Sequence, residues 1–240
     1  RFSVELRVCD ACRIGFFSRS ADRSVPPGSV ARFVETLPDG LQLAPAPALA
    51  LPPEGRRIAY VAIQNGLRAI YVRELDDTSP RALAGSQDAD QPFFSPDGRW
   101  IGFFADGKLK KIAVAGGAPV VLCDATNPRG GTWMADNSIV FAPSPASVLL
   151  RVPAGGGKPT PVSTLDRQLN EASHRWPHAL PGGHAIVYAA GPTVTAREWI
   201  EAHIVAQSLD TGRRVEVAPH GTFPRFAPSG HLLYVQSGIV

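Results

Sequence analysis

Apolar positions along this chain come in short bursts. From Arg32 onward, runs of about four to six residues alternate apolar and polar, and clusters of Gly, Pro, Asp and Asn bound each run. That period predicts strands, with no helix longer than two turns. The bursts also recur as a phrase: an apolar pair, a turn, a polar pair, then Ile-x-aromatic. The cleanest copy is Pro92-Phe93-Phe94-Ser95-Pro96-Asp97-Gly98-Arg99-Trp100-Ile101-Gly102-Phe103. Weaker copies lead from Leu51-Pro52-Pro53-Glu54-Gly55 to Ile58-Ala59-Tyr60, and from Trp133-Met134-Ala135-Asp136-Asn137 to Ile139-Val140-Phe141. Two more lead from Leu180-Pro181-Gly182-Gly183 to Ile186-Val187-Tyr188, and from Phe226-Ala227-Pro228-Ser229-Gly230 to Leu232-Leu233-Tyr234.

Each phrase has a physical reading. The apolar residue before the turn ends one strand, Pro presets φ, Asp or Ser bonds back to the backbone, and Gly or Asn accepts positive φ. The Ile-x-aromatic that follows starts a second strand with period-two burial. Third strands follow at Ile70–Leu75, Leu109–Val114, Leu149–Val152 and Ile204–Leu209, and outer strands at Arg81–Leu83, Val120–Leu122, Pro161–Ser163 and Val215–Val217. The turn anchors Gly55, Gly98, Asn137, Gly183 and Gly230 stand 43, 39, 46 and 47 positions apart. Four short strands at a period near forty make one propeller blade. The expected fold is therefore an all-β propeller of four-stranded antiparallel blades over residues 32–240. Four blades and part of a fifth fit in the chain, as in a fragment of a larger ring. Residues 1–31 lie outside the repeat and read as an irregular tail or linker. Arg1-Phe2-Ser3-Val4-Glu5-Leu6 echoes Arg32-Phe33-Val34-Glu35-Thr36-Leu37.

Composition narrows the function classes. The 23 Gly and 23 Pro sit at fixed offsets in the repeats, so they punctuate turns instead of signalling disorder. A net charge of +3, from 24 basic and 21 acidic residues spread along the chain, argues against a nucleic-acid partner. No apolar run is long enough for a membrane span. Cys9 and Cys12 form a lone C-x-x-C with Cys123 apart, short of the four ligands of a structural zinc site and outside a βαβ redox context. No cofactor or metal is expected.

Phe94-Ser95-Pro96-Asp97-Gly98-Arg99-Trp100-Ile101 resembles the core phrase of the TolB-type, WD-repeat-like bacterial β-propellers. Together with Gly102–Lys111 and Ser173-His174-Arg175-Trp176-Pro177, it is similar to the propellers that lie C-terminal to kinase domains in bacterial receptor-like serine/threonine kinases. The resemblance covers about Arg32 to Val240 and implies an extracytoplasmic sensing or scaffolding role. The chain has no H-R-D loop, no D-F-G and no glycine-rich phosphate loop, so it carries no kinase motif itself.

Candidate chemistry is sparse. No G-x-S-x-G is present, and Ser95 sits in a turn where its hydroxyl has local bonds to make. His174 and His178 have a metal-like spacing, but Pro177 between them argues against a helix, and on a strand they stand more than about 10 Å apart. The better candidate comes from stacking the repeats. Eight residues before the anchors stand Asp90, Arg129, Arg175 and Thr222, with His174 one position earlier than Arg175. Asp90, Arg129, His174 and Arg175 are expected to ring one mouth of the central channel and to bind a polar ligand or a peptide end. The bland alternative is that Asp90 and Arg129 merely pair across neighbouring blades, with Arg175 held by Glu171 or solvent.

The chain thus reads as a non-catalytic propeller that binds a protein or small polar ligand, as the sensor part of a receptor-like kinase. The alternatives are the gating propeller of a prolyl-oligopeptidase-type hydrolase or a free-standing TolB-like envelope scaffold.

Overall fold

A computed structural model describes residues 37–236, apart from 46–47, 78, 193–198, 200 and 228. The expected tail, the strand at 32–36 and the Cys9–Cys12 pair lie outside the described residues. Among the described residues every strand pair is antiparallel, and the sheets account for all regular structure but a 3-10 turn at Trp199 and Glu201. Blade one holds β1 (Leu41–Leu43), β2 (Leu49–Ala50), β3 (Arg57–Gln64), β4 (Leu67–Glu74) and β5 (Arg81–Ala82). Both β1 and β2 pair with β3, so two short strands share the innermost position. Blade two is β6 (Asp90–Phe94), β7 (Trp100–Ala105), β8 (Lys108–Ala113) and β9 (Val120–Asp124) in sequence order. Blade three runs β10 (Gly131–Trp133), β11 (Ser138–Phe141), β12 (Leu150–Pro153) and β13 (Thr160–Pro161). Blade four runs β14 (Ser173–Ala179), β15 (Ala185–Gly191), β16 (His203–Ser208) and β17 (Arg214–Ala218). The described part of blade five is β18 (Thr222–Phe226) with β19 (Leu232–Val235).

The five anchors behave alike. Gly55, Gly98, Asn137, Gly183 and Gly230 all have positive φ, between 62° and 88°. Each donates its backbone N–H to the carbonyl three residues earlier, at Pro52, Ser95, Met134, Leu180 and Ala227, closing a β-turn. The Ser-Pro-Asp-Gly copy is the most heavily bonded. Ser95 Oγ donates to Asp97 Oδ1 at 2.6 Å and accepts from the Trp100 N–H at 2.9 Å, while Asp97 accepts from the Arg99 N–H and Nε. The Ser95 hydroxyl, ahead of the Arg99 donors, holds the Asp97 carboxyl down at about 2.

The second strand of blades one to four is buried on both faces, and this places cores between blades. Along β7, Ile101, Phe103 and Ala105 face blade one while Phe104 faces blade three. On β11, Ile139 and Phe141 pack on blade two, and Val140 and Ala142 on blade four. On β15, Ile186, Tyr188 and Ala190 pack on blade three, with Val187 and Ala189 turned to blade five. Phe94 lies in the first inter-blade core and Trp133 in the second, as their shared offset predicts. Phe226 occupies the same offset but is only half-buried.

Phe93 shows how close the fit is. Its ring lies between two glycines, one on its own blade and one on the next. A Cβ on Gly102 would stand 2.3 Å from Phe93 Cε2, and one on Gly131 2.7 Å from Cε1. A methyl at either place needs the ring to leave, and the facing glycine side blocks the retreat.

Removing Phe94 or Trp133 to alanine is expected to lower stability by roughly 3–5 kcal/mol each, the range for large buried aromatics. Gly102→Ala should cost about 1–3 kcal/mol by overpacking. Chemical denaturation of the three variants checks this. A midpoint unmoved by Trp133→Ala would mean the blade register is misassigned.

Candidate functional site

The site is built by a break in the strands. The innermost strands slip register at one repeated place. Asp90 pairs with Phe104 but Phe93 with Gly102, Arg175 with Ala189 but His178 with Val187, and Thr222 with Val235 but Arg225 with Leu233. One extra residue stands in each slip, in the left-handed region: Gln91 (φ 50°), Trp176 (50°) and Phe223 (52°). Gly130 (φ 96°) holds the equivalent place in blade three, each seven positions before its anchor. Bulky residues avoid this conformation, so its repetition marks a feature held by its surroundings. A cross-blade bond helps to hold it: the Trp176 N–H donates to the Arg129 carbonyl at 2.7 Å. A Cβ at 130 would stand 2.8 Å from Trp176 Cα, so close approach as well as φ requires glycine there. Trp176 and Phe223 stack at 3.8 Å between centroids, joining bulge to bulge.

The residue entering each bulge is the column picked out from the sequence. Asp90 Oδ1 accepts from the Gln91 N–H at 3.0 Å and lies 4.0 Å from Arg68 Nη1. Arg129 Nη1 donates to Asn127 Oδ1 at 2.7 Å and to the Pro128 carbonyl at 2.8 Å. Burial pulls the Arg129 guanidinium below the usual arginine range, and the Asp90 carboxylate pulls it partly back. Burial, with the like charge of Arg129, brings Arg175 down to about 10. Asp90, Arg129 and Arg175 are thus electrostatic neighbours across three successive blades. Asp90 and Arg129 are only partly buried, whereas Arg175 is 2 % exposed. Its guanidinium lies 3.8 Å from the Trp199 ring centroid and donates to the Pro145 carbonyl and Ser173 Oγ. Glu171 does not hold Arg175; it holds Arg214 instead.

His174 belongs elsewhere. Successive strand residues face opposite ways, so His174 turns away from the column that holds Arg175. It is fully buried, with Nε2 3.0 Å from Glu171 Oε2 and Nδ1 2.7 Å from Ser163 Oγ. Glu171 also accepts from His203 Nε2 at 3.1 Å, from the Asp166 N–H at 2.7 Å, and from Arg214 Nη2. Burial raises the Glu171 carboxyl, but these four donors outweigh it and hold it far below the usual carboxylate range. Because Glu171 is ionised, His174 Nε2 is the donor, and Nδ1 accepts the Ser163 hydroxyl. Burial lowers His174 despite its carboxylate, so the ring is neutral. Tyr188 packs on that ring at 4.7 Å and donates to Gln207 Oε1 at 2.9 Å.

Ser163, His174 and Glu171 have the composition of a hydrolytic triad, but they form a sealed, hydrogen-bonded group. All three are buried, the serine already accepts the Leu149 N–H, and the carboxylate is saturated by other donors. Only Ser163 lies on blade three; the other two belong to blade four or the segment leading into it, so the group ties the two blades together. No sequence motif announces it, because its members are scattered from 163 to 214. His178 does not join His174: the bulge sends it to the opposite face, where Nε2 lies 3.3 Å from the Phe226 carbonyl. Burial and then Arg225 push His178 down to about 4. Among the described residues, no group of His, Cys, Asp and Glu is placed to hold a metal ion.

No protein-family model and no curated protein matches the sequence. Solved structures do match. TolB from Acinetobacter baumannii superposes with a TM-score of 0.63 at 16 % identity, over 79 % of this chain and 54 % of that one. A putative TolB from Agrobacterium tumefaciens gives 0.59 at 17 %, over 80 % and 70 %. This chain has the fold of a TolB-like β-propeller. It spans about half the length of the Acinetobacter protein. The propeller is also similar to part of puromycin hydrolase, with a TM-score of 0.51 at 17 % identity over 78 % of this chain and 32 % of that enzyme. At these identities the likeness is one of fold.

Two outcomes follow from the propeller's buried charges. Arg175→Ala strips a stacked guanidinium from Trp199 and should lower the melting temperature by several degrees, whereas Arg129→Ala, at a part-exposed side chain, should leave it within about 2 °C. Thermal melts of both variants check this, and equal shifts would contradict the placement. The second outcome concerns acid. His178 binds its proton at about 4 when folded against 6.5 when free, so the unfolded chain holds more protons between those values. Stability is therefore complete above about pH 6.5 and falls as pH drops toward 4. Glu171, lowered from 4.5, extends the loss to still lower pH. Melting temperature against pH should show that slope, and His178→Gln should flatten its upper part.

Proposed function

We propose that this propeller is a non-catalytic recognition module that binds a polar ligand or peptide end at the mouth where the bulged inner strands begin. One observation carries the reading: Asp90 and Arg129, from successive blades, hold opposite charges in contact with solvent, while Arg175, their counterpart on blade four, is buried under Trp199. Arg129 uses Nη1 for its bonds to the segment Asn127–Pro128, which leaves the rest of its fork for a carboxylate. The absence of catalysis is supported by the state of the hydroxyls singled out above. Ser95 is tied into its turn and Ser163 into a buried group.

The wider role we propose is that of an extracytoplasmic sensor or scaffold in a bacterial receptor-like serine/threonine kinase. It is supported by the likeness of residues 94–111 and 173–177 to such propellers. Within the fold, Ser173–Pro177 has a structural job, since Ser173 accepts from Arg175, His174 binds Glu171 and Trp176 stacks on Phe223. The likeness to puromycin hydrolase supports a second reading, a propeller that gates a hydrolase. A TolB-like envelope scaffold is the third. The coding sequence flanking this chain separates the three: kinase motifs and a membrane span, a nucleophile elbow, or neither.

The mouth is tested by calorimetric titration with short peptides bearing a free C-terminal carboxylate. Binding should fall at least about tenfold in Arg129→Ala, with the fold intact. The purified chain should hydrolyse no generic ester or peptide and transfer no phosphate. Turnover abolished by a single substitution would overturn the non-catalytic reading.

A further inference from the structure

Gln91 is the left-handed residue of the blade-two bulge, and its side chain is over nine-tenths buried. Its amide nitrogen is fully engaged, with Nε2 donating to Asp90 Oδ2 at 3.3 Å and to the Pro128 carbonyl at 3.2 Å. Both partners are acceptors, so flipping the amide would set oxygen against oxygen; the orientation is fixed by its neighbours. That leaves Gln91 Oε1 buried with no hydrogen-bond partner among the described residues. A buried carbonyl without a donor is costly, and such a group calls for a partner such as a bound water, ion or ligand donor.

The surroundings say what that something is. Beside Oε1 stands the Asp90 carboxylate, whose nearest cation, Arg68, is no closer than 4.0 Å. Two acceptors, one of them charged, call for a compact donor with several N–H bonds. Arg129 lies on the neighbouring blade, close enough to feel the Asp90 charge. The geometry points to an ammonium-binding subsite at the channel mouth, formed by Asp90 and Gln91 Oε1, with Arg129 taking a carboxylate of the same ligand. The ligand class is therefore a small zwitterion, such as an amino acid or a short peptide with free ends. Since Oε1 is buried, the head suited to it is a compact one such as an ammonium. This assignment rests on the reading of the mouth as a ligand site.

The test titrates the propeller with Gly-Gly and with N-acetyl-Gly-Gly, which keeps the carboxylate but loses the ammonium. Wild-type protein should bind Gly-Gly at least about tenfold more tightly than the acetylated form. Gln91→Leu and Asp90→Asn should each remove most of that preference by weakening Gly-Gly, with the acetylated peptide still bound, and more tightly in Asp90→Asn because the anion beside Arg129 is gone. Asp90→Asn keeps the side-chain shape, so the test survives if Gln91→Leu fails to fold. Equal binding of both peptides, lost in Arg129→Ala, would overturn the ammonium subsite while the mouth stands as a carboxylate site. No binding of either peptide at millimolar concentration would remove the mouth as a site for such ligands, and the subsite with it.

Discussion

Everything in this propeller depends on the second strands of blades one to four being buried on both faces. A lone four-stranded sheet leaves an apolar face in water, so the blades depend on one another, and four of the five cores among the described residues are shared by two blades. The alternation along β7, β11 and β15 sends every other side chain to the preceding blade and the rest to the following one. Phe93, wedged between Gly102 of its own sheet and Gly131 of the next, gives that coupling its tolerance: less than one methyl group.

The inner strands cannot simply continue this pattern. Their side chains meet neighbouring inner strands where the wedge-shaped blades are closest. The repeated bulge relieves the crowding by inserting one left-handed residue, and it turns the column at Asp90, Arg129 and Arg175 away from the pattern of its own strand. In blades four and five that residue is aromatic and stacks on its counterpart. In blade three it is glycine, because Trp176 already fills the space. In blade two it is Gln91, whose orphan oxygen is the polar exception in an otherwise apolar series.

Much of the architecture was legible in the sequence for a simple reason. A turn anchor must accept positive φ, and all five positions chosen on spacing do so. Strand order and the four-strand unit follow from the same punctuation, as does the inter-blade packing of Phe94 and Trp133. The site was legible only in part. Equal offsets brought Asp90, Arg129 and Arg175 to one neighbourhood, but His174 was grouped with Arg175 although adjacent strand residues face opposite ways. The bulge leaves no mark of its own in the sequence beyond the prolines Pro92, Pro177 and Pro224 just after it. The Glu171 cluster was invisible, since its donors come from strands far apart in the chain.

Equivalent positions in the ring have met different fates, and the cause is where the repeat is broken. The link between β3 and β4 is Asn65-Gly66, and that between β7 and β8 is Asp106-Gly107, both two-residue turns with positive φ. Between β15 and β16 the chain instead runs from Pro192 to Ala202. That insertion carries Trp199, which covers Arg175, and it ends beside His203, a donor to Glu171. Blade four thereby converts its column arginine into packing and its neighbouring histidine into part of a buried latch. Blades two and three, in contrast, keep Asp90 and Arg129 in touch with solvent. A ring of near-identical units has no preferred contact direction; here Trp199 breaks the equivalence by covering Arg175, while Asp90 and Arg129 stay part-exposed.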